Sequence, residues 1–339
     1  MKLAVITLYD YYNYGSYLQA WAMQKYLKSL ENEVYYVRTQ SLRRRIRRGF
    51  LSENNILFDI QKILYFQKDL AHFKQIKIDD LQKKGIEGVI IGSDELWNAD
   101  NDAFNQYPYY YGIGYELPTI VYAMSLGNGN YDTLLKKDYI SPGIQKLENI
   151  YARDYSAAEA IGKICKREIN LVCDPTLLLD KEDYINLEKN FDLDSYILVY
   201  SYDMPQFLQK YIRTYANERK LKIISACFAM DCADKVINCN PLRFPMLVKG
   251  AEVVITSTFH GSIFSIMFNK SMTVLPYAKK TTDLLKQLHL DDIIIKSDCS
   301  YDKFKEKVQQ DIDFSYANRK IATMKEKSRN IIEEFVKSV

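Results

Sequence analysis

Residues 253–264 read V-V-I-T-S-T-F-H-G-S-I-F, an apolar run that changes into a helical pattern within a few positions. The run Val253–Thr256 predicts a strand buried on both faces, and the spacing of apolar residues in Ile263–Phe268 predicts a helix after it. His260, one of three histidines in the chain, falls in the first turn of that helix. A buried strand leading directly into a helix is the unit from which α/β folds are built.

The same alternation of short apolar runs and amphipathic stretches recurs through most of the chain. The other candidate strands are Lys2–Leu8, Val34–Arg38, Gly88–Ile91, Thr119–Met124, Ile150–Arg153, Leu171–Cys173, Tyr196–Tyr200, Lys222–Ser225, Met272–Leu275 and Asp292–Ile295. The other candidate helices are Tyr17–Leu30, Tyr155–Ile164, Gln206–Glu218 and Thr282–Leu288. Apolar runs without strict alternation favour parallel sheets covered by crossover helices, so the predicted class is α/β.

The alternation pauses at D-P-T-L-L-L-D (174–180) and a charged helical stretch at 181–190, and it resumes at Ser195. Because 339 residues exceed one typical domain, we predict two Rossmann-like domains, 1–185 and 195–315, with parallel sheets that face a cleft. The tail 316–339 predicts one amphipathic helix, which either stays on the second domain or crosses back to the first.

Composition narrows the class of function. The chain is 47% hydrophobic and 26% charged, with a net charge of +3, which is typical of a globular protein and gives no support to nucleic-acid binding. Its 28 tyrosines suit a polyhydroxylated ligand if they line a cleft, but codon usage and packing explain them equally well. The six cysteines form no C-x-x-C pair, which predicts reduced thiols and no metal site. No signal sequence or spanning run is present in the sequence, so we predict a cytoplasmic protein.

Four predicted strand ends carry polar residues, and ligands of α/β sheets bind at such ends. After the first strand, Gly15 and Ser16 begin a helix whose free N–H groups could cradle a phosphate; the alternative is a turn with Ser16 as the N-cap. The third strand end carries Arg153, which could grip a carboxylate or phosphate, or pair with Asp154 or Asp174.

The second strand end, residues 89–98, is a polar shelf after a buried strand. Asp94 could orient or deprotonate a sugar hydroxyl beside Ser93 and Asn98, and Trp97 could stack on a sugar face. A helix cap at Ser93 or Asp94, with Trp97 in the core, is an equally good interpretation.

The fourth strand end contains His260. Gly261 leaves room for close approach, and the free N–H groups of the helix start together with Ser262 could bind an anion. A bound dianion would make His260 a competent acid. The alternative is a histidine that is merely accommodated at a helix start.

The segment Arg43–Arg48 is the one dense basic run. A solvated or mobile loop is one interpretation, and contact with anionic headgroups or with the pyrophosphate of a lipid-linked substrate is another. Nucleic-acid binding is the least favoured, because no recognition motif accompanies the run.

Six segments in this order resemble the motifs of the polysaccharide pyruvyl transferase family. They are N-Y-G-S-Y-L-Q-A-W-A-M-Q-K-Y-L (13–27), I-I-G-S-D-E-L-W-N (90–98), Y-A-M-S-L-G (122–127), A-R-D-Y-S-A (152–157), C-D-P-T-L-L-L (173–179) and S-T-F-H-G-S-I-F-S-I (257–266). The ordered combination, which spans about residues 3 to 295, is specific where each piece alone is not, and its last segment has the F-H-G form of one subgroup.

The resemblance implies a GT-B-like fold and a pyruvyl group passed from phosphoenolpyruvate (PEP) to two hydroxyls of one sugar, without a further cofactor. It implies His260 as general acid, and a nucleotide- or lipid-linked saccharide of capsule or exopolysaccharide synthesis as acceptor. On this basis Arg153 and the helix start at 260–262 are the candidate PEP ligands, and Lys279 and Lys280 could add charge. Asn13, Asp94 and Trp97 would lie on the acceptor side.

Two positions depart from the family pattern: Thr258 stands where an arginine is common, and Ser16 where an acid is common. Two alternative functions therefore remain: a GT-B-like glycosyltransferase that uses a nucleotide-sugar, and a non-catalytic glycan- or membrane-associated relative. Membrane contact through Arg43–Arg48 would place the protein at the inner face of the membrane.

Overall fold

The computed structural model describes residues 1–49, 56–101, 104, 106–185, 191 and 193–339, without the side chains of residues 42 and 47–49. Within these residues the N-terminal half forms a seven-stranded parallel sheet, in the order β3-β2-β1-β4-β5-β6-β7. Its strands are β1 (Lys2–Ile6), β2 (Glu33–Val37), β3 (Lys74–Ile76), β4 (Gly88–Ile91), β5 (Thr119–Met124), β6 (Asn149–Ala152) and β7 (Asn170–Leu171).

The C-terminal half forms a five-stranded parallel sheet in the order β10-β9-β8-β11-β12. Its strands are β8 (Tyr196–Tyr200), β9 (Lys222–Ala226), β10 (Lys235–Ile237), β11 (Val253–Thr256) and β12 (Ser271–Val274). Every residue of β8 and β11 is buried, which explains their continuous apolar sequence. The prediction of an α/β protein with parallel sheets is confirmed.

Helices follow most strands and cover the sheets. They are α1 (Tyr14–Ser29), α2 (Leu42–Gly49), α3 (Ile56–Leu70), α4 (Tyr131–Leu134), α5 (Ile140–Lys146), α6 (Tyr155–Cys165), α7 (Lys181–Ile185), α8 (Gln206–Arg219), α9 (Phe244–Gly250), α10 (Phe259–Met267), α11 (Lys279–Gln287), α12 (Tyr301–Gln309) and α13 (Ser315–Ser338). None of the helices in the described part of the chain has both the length and the apolar run that a membrane crossing needs.

Several element predictions need correction. The predicted strand Asp292–Ile295 is a 3-10 turn followed by a single bridge between Ile294 and Val274. Strands β3 and β10 were not predicted, because three residues are too few for a periodic signal. The basic run 43–48 lies in helix α2 rather than in a loop, and α2 and α3 form an excursion between β2 and β3. Of the predicted charged helix 181–190, residues 186–190 lie outside the described residues.

Helix α1 is buried on almost every side, and it joins the two sheets through a shared apolar core. The Tyr14 ring stacks on Phe66 of the N-terminal half and on Tyr200 and Phe244 of the C-terminal half, with centroid distances of 5.6, 6.0 and 5.1 Å. The same helix therefore fixes the position of one sheet relative to the other.

Helix α13 returns from the C-terminal half to the N-terminal half. The hydroxyl of Ser328 accepts a hydrogen bond from the N–H of Cys173 at 2.9 Å, and Arg329 donates to the carbonyl of Leu178. At the end of the chain, Val339 packs beside Gly88 at the start of β4.

Candidate active site

A pocket of about 450 Å³ lies where the carboxyl ends of the two sheets meet. Residues that follow β1 and β4 line one side of it, and residues that follow β8, β11 and β12 line the other. The volume falls in the range of small-molecule sites, roughly 300–1,000 Å³. Five tyrosines are part of the wall: Tyr11, Tyr12, Tyr200, Tyr202 and Tyr277.

The first N–H groups of helix α10 are capped by Thr258, the residue before the helix. The Thr258 hydroxyl accepts the N–H of Gly261 at 3.0 Å, and the Thr258 carbonyl accepts the N–H of Ser262 at 3.2 Å. A Cβ at Gly261 would lie 2.3 Å from the Thr256 hydroxyl, so the glycine makes room for this cap rather than for a ligand. The predicted anion site at Gly261 and Ser262 is therefore wrong, because both N–H groups are already paired, and Ser262 itself is fully buried.

His260 lines the pocket between Gly15 and Asp174. A Cβ at position 15 would lie 2.0 Å from Nδ1 of the imidazole, so only glycine lets the ring lie against the start of helix α1. Nε2 is 3.6 Å from Asp174 Oδ1 and has no hydrogen-bond partner among the described residues. A buried ring nitrogen without a partner, beside a carboxylate, is available to a ligand in the pocket.

Arg153 is fully buried and holds two carboxylates together. One nitrogen donates to Asp174 Oδ2 at 2.6 Å and another to Asp94 Oδ1 at 3.1 Å. Burial raises the pKa of the Asp174 carboxyl, but the neighbouring His260 and Arg153 outweigh burial and hold that pKa below its usual value. Arg153 does not line the pocket, so it positions Asp174 and Asp94 rather than gripping a substrate anion.

Asp94 stands at the end of β4 with φ of +67° and lines the pocket. Burial raises the pKa of its carboxyl, but the neighbouring Lys280, Arg153 and His260 have the larger combined effect and lower that pKa to about 2. Oδ2 accepts a 2.5 Å hydrogen bond from the Ser16 hydroxyl. Asp94 is thus held as a carboxylate, a form that accepts hydrogen bonds from a hydroxyl-bearing ligand.

Asn13, rather than Ser16, is the N-cap of helix α1. Its side-chain oxygen accepts the Ser16 N–H at 3.1 Å, and its amide donates to the Tyr202 hydroxyl at 2.5 Å. Since Tyr202 follows β8, this bond spans the pocket from one half of the protein to the other. The interpretation of Gly15 and Ser16 as a phosphate cradle is not supported, because Gly15 contacts His260 and Ser16 is bonded to Asp94.

Three residues of the predicted polar shelf do not line the pocket. Trp97 is fully buried, stacks on Tyr111 and donates to the carbonyl of Tyr110, so it is not available to a sugar. Ser93 donates to Gln19, and Asn98 donates to Glu95. The alternative interpretation, with Trp97 in the core, is the correct one.

The two lysines after β12 differ in whether they reach the pocket. Lys280 lines the pocket and forms a 2.5 Å ion pair with Glu95 Oε1. Burial raises the pKa of the Glu95 carboxyl, but the charge of Lys280 outweighs burial, and the pKa is lowered. Lys279 is exposed and does not line the pocket. Only Lys280 of the two can therefore reach a bound ligand.

The sequence did not reveal Asp174 as the partner of His260, or Glu95 and Lys62 as part of the pocket wall. The acid at 174 follows a strand end, as His260 does, which was the available signal. Arg45 belongs to the basic run for which contact with a substrate pyrophosphate was one interpretation, and it lines the pocket. Lys62, on helix α3, carried no such signal. No group of three metal-ligating side chains occurs among the residues that the structure describes.

Two parallel α/β sheets with one pocket between their carboxyl ends define the GT-B-like class, and solved structures agree. UDP-GlcNAc 2-epimerase from Neisseria meningitidis, bound to UDP-GlcNAc, superposes with a TM-score of 0.55 at 11% identity over 100% of both chains. The Methanocaldococcus jannaschii UDP-GlcNAc 2-epimerase, in complex with UDP-GlcNAc and UDP, gives 0.53 at 12% identity over 96% of this chain and 99% of the other. The glycosyltransferase SnogD from Streptomyces nogalater gives 0.52 at 12% identity over 99% of each chain. These likenesses confirm the predicted fold class.

Residues 13–279 match the family described as polysaccharide pyruvyl transferase. The chain belongs to this family, as the ordered motifs predicted. Comparison with curated protein sequences gives no match.

Proposed function

We propose that the protein transfers the pyruvyl group of PEP to two hydroxyls of one sugar, forming a pyruvate ketal and releasing phosphate. The observation that carries the proposal is His260, whose Nε2 lacks a hydrogen-bond partner in the described structure and lies 3.6 Å from Asp174 in the wall of the shared pocket. Family membership supplies the reaction class, and the pocket supplies a group suited to its first step.

The reaction needs one proton delivered to carbon. As a sugar hydroxyl adds to C2 of PEP, the C3 methylene takes up a proton and becomes a methyl group. The C2–O bond to phosphate then breaks, the second hydroxyl adds to C2, and the two hydroxyl protons balance the one on C3 and the one on the departing phosphate. A positioned general acid accelerates such a step by about 10²–10⁴-fold.

In this scheme His260 protonates C3 through Nε2, and the Asp174 carboxylate, 3.6 Å from that nitrogen, stabilises the charged form of the imidazole. Asp94 and Glu95, whose carboxyl pKa values are both lowered, accept hydrogen bonds from acceptor hydroxyls. Lys280 neutralises this pair of carboxylates and faces the same pocket.

The acceptor is a saccharide, carried on a nucleotide or a lipid and destined for capsule or exopolysaccharide. Tyr202 and Tyr277 support this class, because their exposed rings meet at the pocket wall with centroids 5.8 Å apart. Aromatic faces with a hydroxyl at the tip suit a sugar ring.

The test is phosphate release from PEP by the purified protein with a pool of nucleotide- and lipid-linked saccharides, with mass spectrometry of the products. We expect His260→Ala to lower turnover by ~10²-fold or more. His289→Asn is the control, since His289 stacks on Tyr316 away from the pocket and has a left-handed φ that Asn tolerates.

Unchanged turnover in His260→Ala would remove the general acid from the scheme. A wild-type protein that leaves PEP intact and instead consumes a nucleotide-sugar would be a glycosyltransferase, and the proposal would be wrong.

A further inference from the structure

The basic side chains of the pocket wall differ in whether a carboxylate neutralises them. Lys280 is paired with Glu95 at 2.5 Å. Arg45 and Lys62 also line the pocket, and among the described residues neither has a carboxylate oxygen within ion-pair distance, 4.0 Å. The positive charge that is left uncompensated thus lies on the N-terminal side, on the α2–α3 excursion.

Arg45 lines the pocket and is almost fully buried. Only 9% of the residue is exposed, one terminal nitrogen donates to Gln67 Oε1 at 3.1 Å, and Nε is buried without a hydrogen-bond partner in the described structure. A buried donor of a charged group without an acceptor is costly, and because Arg45 lines the cavity, an anionic ligand bound there can supply the acceptor.

Lys62 approaches the same cavity from helix α3. The residue is 7% exposed, and its ammonium lies 5.5 Å from the centre of the Phe228 ring, a residue of the C-terminal half. Contact with an aromatic face stabilises the ammonium without providing a hydrogen-bond acceptor. The three donors of Lys62 therefore remain suited to an anionic oxygen.

Two acids lie nearby and do not form an ion pair with either cation within the described residues. The charge of Arg45 lowers the pKa of Asp10, yet burial is the larger effect and raises it to about 6. Burial likewise raises the pKa of Asp59 on helix α3, while Lys62 lowers it. Both carboxylates therefore reduce the positive potential that Arg45 and Lys62 create.

We propose that Arg45 and Lys62 form a phosphate-binding subsite on the N-terminal side of the pocket. It supplies the charge that position 258 lacks, where Thr258 is an N-cap instead of an arginine. The inference rests on the proposed function, and its ligand is a substrate phosphate. PEP carries one, and so does the diphosphate of a nucleotide- or lipid-linked saccharide, so the two sources are separated by experiment.

The experiment is calorimetric titration of the full chain with PEP and, separately, with UDP. Arg45→Gln and Lys62→Met are each expected to weaken binding of the same phosphate ligand by ~10-fold or more, since a charge-assisted contact is lost. Lys68→Met is the matched control: it removes one charge from an exposed site on helix α3 and leaves affinity unchanged. Arg45→Lys keeps the charge and loses the planar fork, so we expect an intermediate affinity.

Weaker binding of PEP in both variants assigns the subsite to the donor, and weaker binding of UDP alone assigns it to the acceptor. Unchanged affinity for both ligands in folded Arg45→Gln and Lys62→Met, or an equal loss in Lys68→Met, would overturn the subsite. If Arg45→Gln does not fold by circular dichroism, Arg45→Lys and Lys62→Met decide in its place.

The outcome is independent of the catalytic proposal. A protein that binds UDP through Arg45 and Lys62 but releases no phosphate from PEP would retain the subsite and lose the proposed function. If the wild type turns over PEP and both variants keep their affinities, the proposed function would be retained and the subsite would be lost.

Discussion

Two groups of charged residues adjoin the pocket, and they differ in how completely their charges are paired. The inner network consists of Arg153, Asp94, Asp174 and His260, in which Arg153 is fully buried and bonded to both carboxylates. The outer pair consists of Arg45 and Lys62, which face the pocket without a carboxylate inside 4.0 Å among the residues described. Basic residues therefore occur in two settings, one fully paired with carboxylates and one without such a partner at the pocket wall.

The difference shows how to recognise a structural arginine. In the part of the chain that the structure describes, Nε lacks a hydrogen-bond partner in both arginines, so the surroundings distinguish them. A guanidinium that bridges two buried carboxylates and does not line the pocket holds those carboxylates, and its loss leaves buried charges uncompensated. An arginine that lines the pocket without a carboxylate within 4.0 Å in the described structure is suited to an anionic ligand. Arg153 and Arg45 occupy these two positions, and substitutions at each separate stability from binding.

The largest effect is expected for Arg153→Met. Removing the guanidinium leaves Asp94 and Asp174 buried without their counter-charge, which typically costs 3–5 kcal/mol, so we expect a loss of about 4 kcal/mol in the free energy of unfolding. Urea unfolding followed by circular dichroism measures it. A loss near zero would mean that the inner network does not hold the strand ends together.

The buried acid Asp10, whose pKa Arg45 influences, gives the next effect. Asp10 has a folded pKa of about 6 against an ordinary value of 3.8, because burial outweighs its bonds to Thr39 and Gln40. The stability it contributes is therefore present below about pH 4 and is lost as pH rises through 6, a difference of about 3 kcal/mol.

Asp10→Asn keeps the acceptor for Thr39 and removes the charge. We expect the variant to be more stable than the wild type at pH 7 by about 3 kcal/mol, and equal to it near pH 3. Urea midpoints between pH 3 and 8 measure the difference. A wild type whose stability rises from pH 4 to 6 relative to Asp10→Asn would reverse the sign and contradict the burial argument.

The third prediction concerns the contact between Gly15 and the inner network. The Cβ of Gly15→Ala would lie 2.0 Å from Nδ1 of His260, so the ring must move. We expect turnover to fall by ~10²-fold, the effect of a misplacement of about 1 Å. Stability should change less in Gly15→Ala/His260→Ala than the sum of the single variants, since the double variant has no ring to clash. Additive changes would show that Gly15 acts elsewhere.

The smallest effect is expected at the edge of the seven-stranded sheet, where β3 pairs with β2. Lys74 and Glu33 form an exposed ion pair at 2.6 Å, and solvent screens such pairs. Lys74→Ala should leave the melting temperature and turnover unchanged within error. A clear loss of stability there would weaken the contrast between buried and exposed pairs.

Much of the fold could be predicted from local sequence. Strand β11 is a continuous apolar run and was predicted with its observed bounds. Helix α10 carries a helical period, and its end was predicted within one residue, although the helix begins at Phe259 rather than at Ile263. His260 was placed correctly in the first turn of α10 for the same reason. Strand β3 could not be found, because three residues carry no period.

The site was harder to predict, because its contacts join distant segments. Arg153 lies 59 residues from Asp94 and 21 from Asp174 along the chain. Its pairing with Asp174 was one alternative given by the sequence, but only the fold shows that Asp94 shares the same guanidinium. Trp97 looked equally suited to a sugar or to the core, since its packing on Tyr111 depends on a turn without periodicity. Gly15 appeared as a phosphate-loop glycine, because sequence does not show which ring lies against it.

The stacking of Tyr14 on rings from both halves has a consequence for cooperativity. If the chain were cut between residues 185 and 195, helix α1 would lose its contacts with Tyr200 and Phe244 of the C-terminal half. Each fragment would then expose part of one continuous core. Two sheets that share a core in this way melt together, so heat or urea should produce a single transition for the whole chain. The halves are separate in topology and inseparable as folding units.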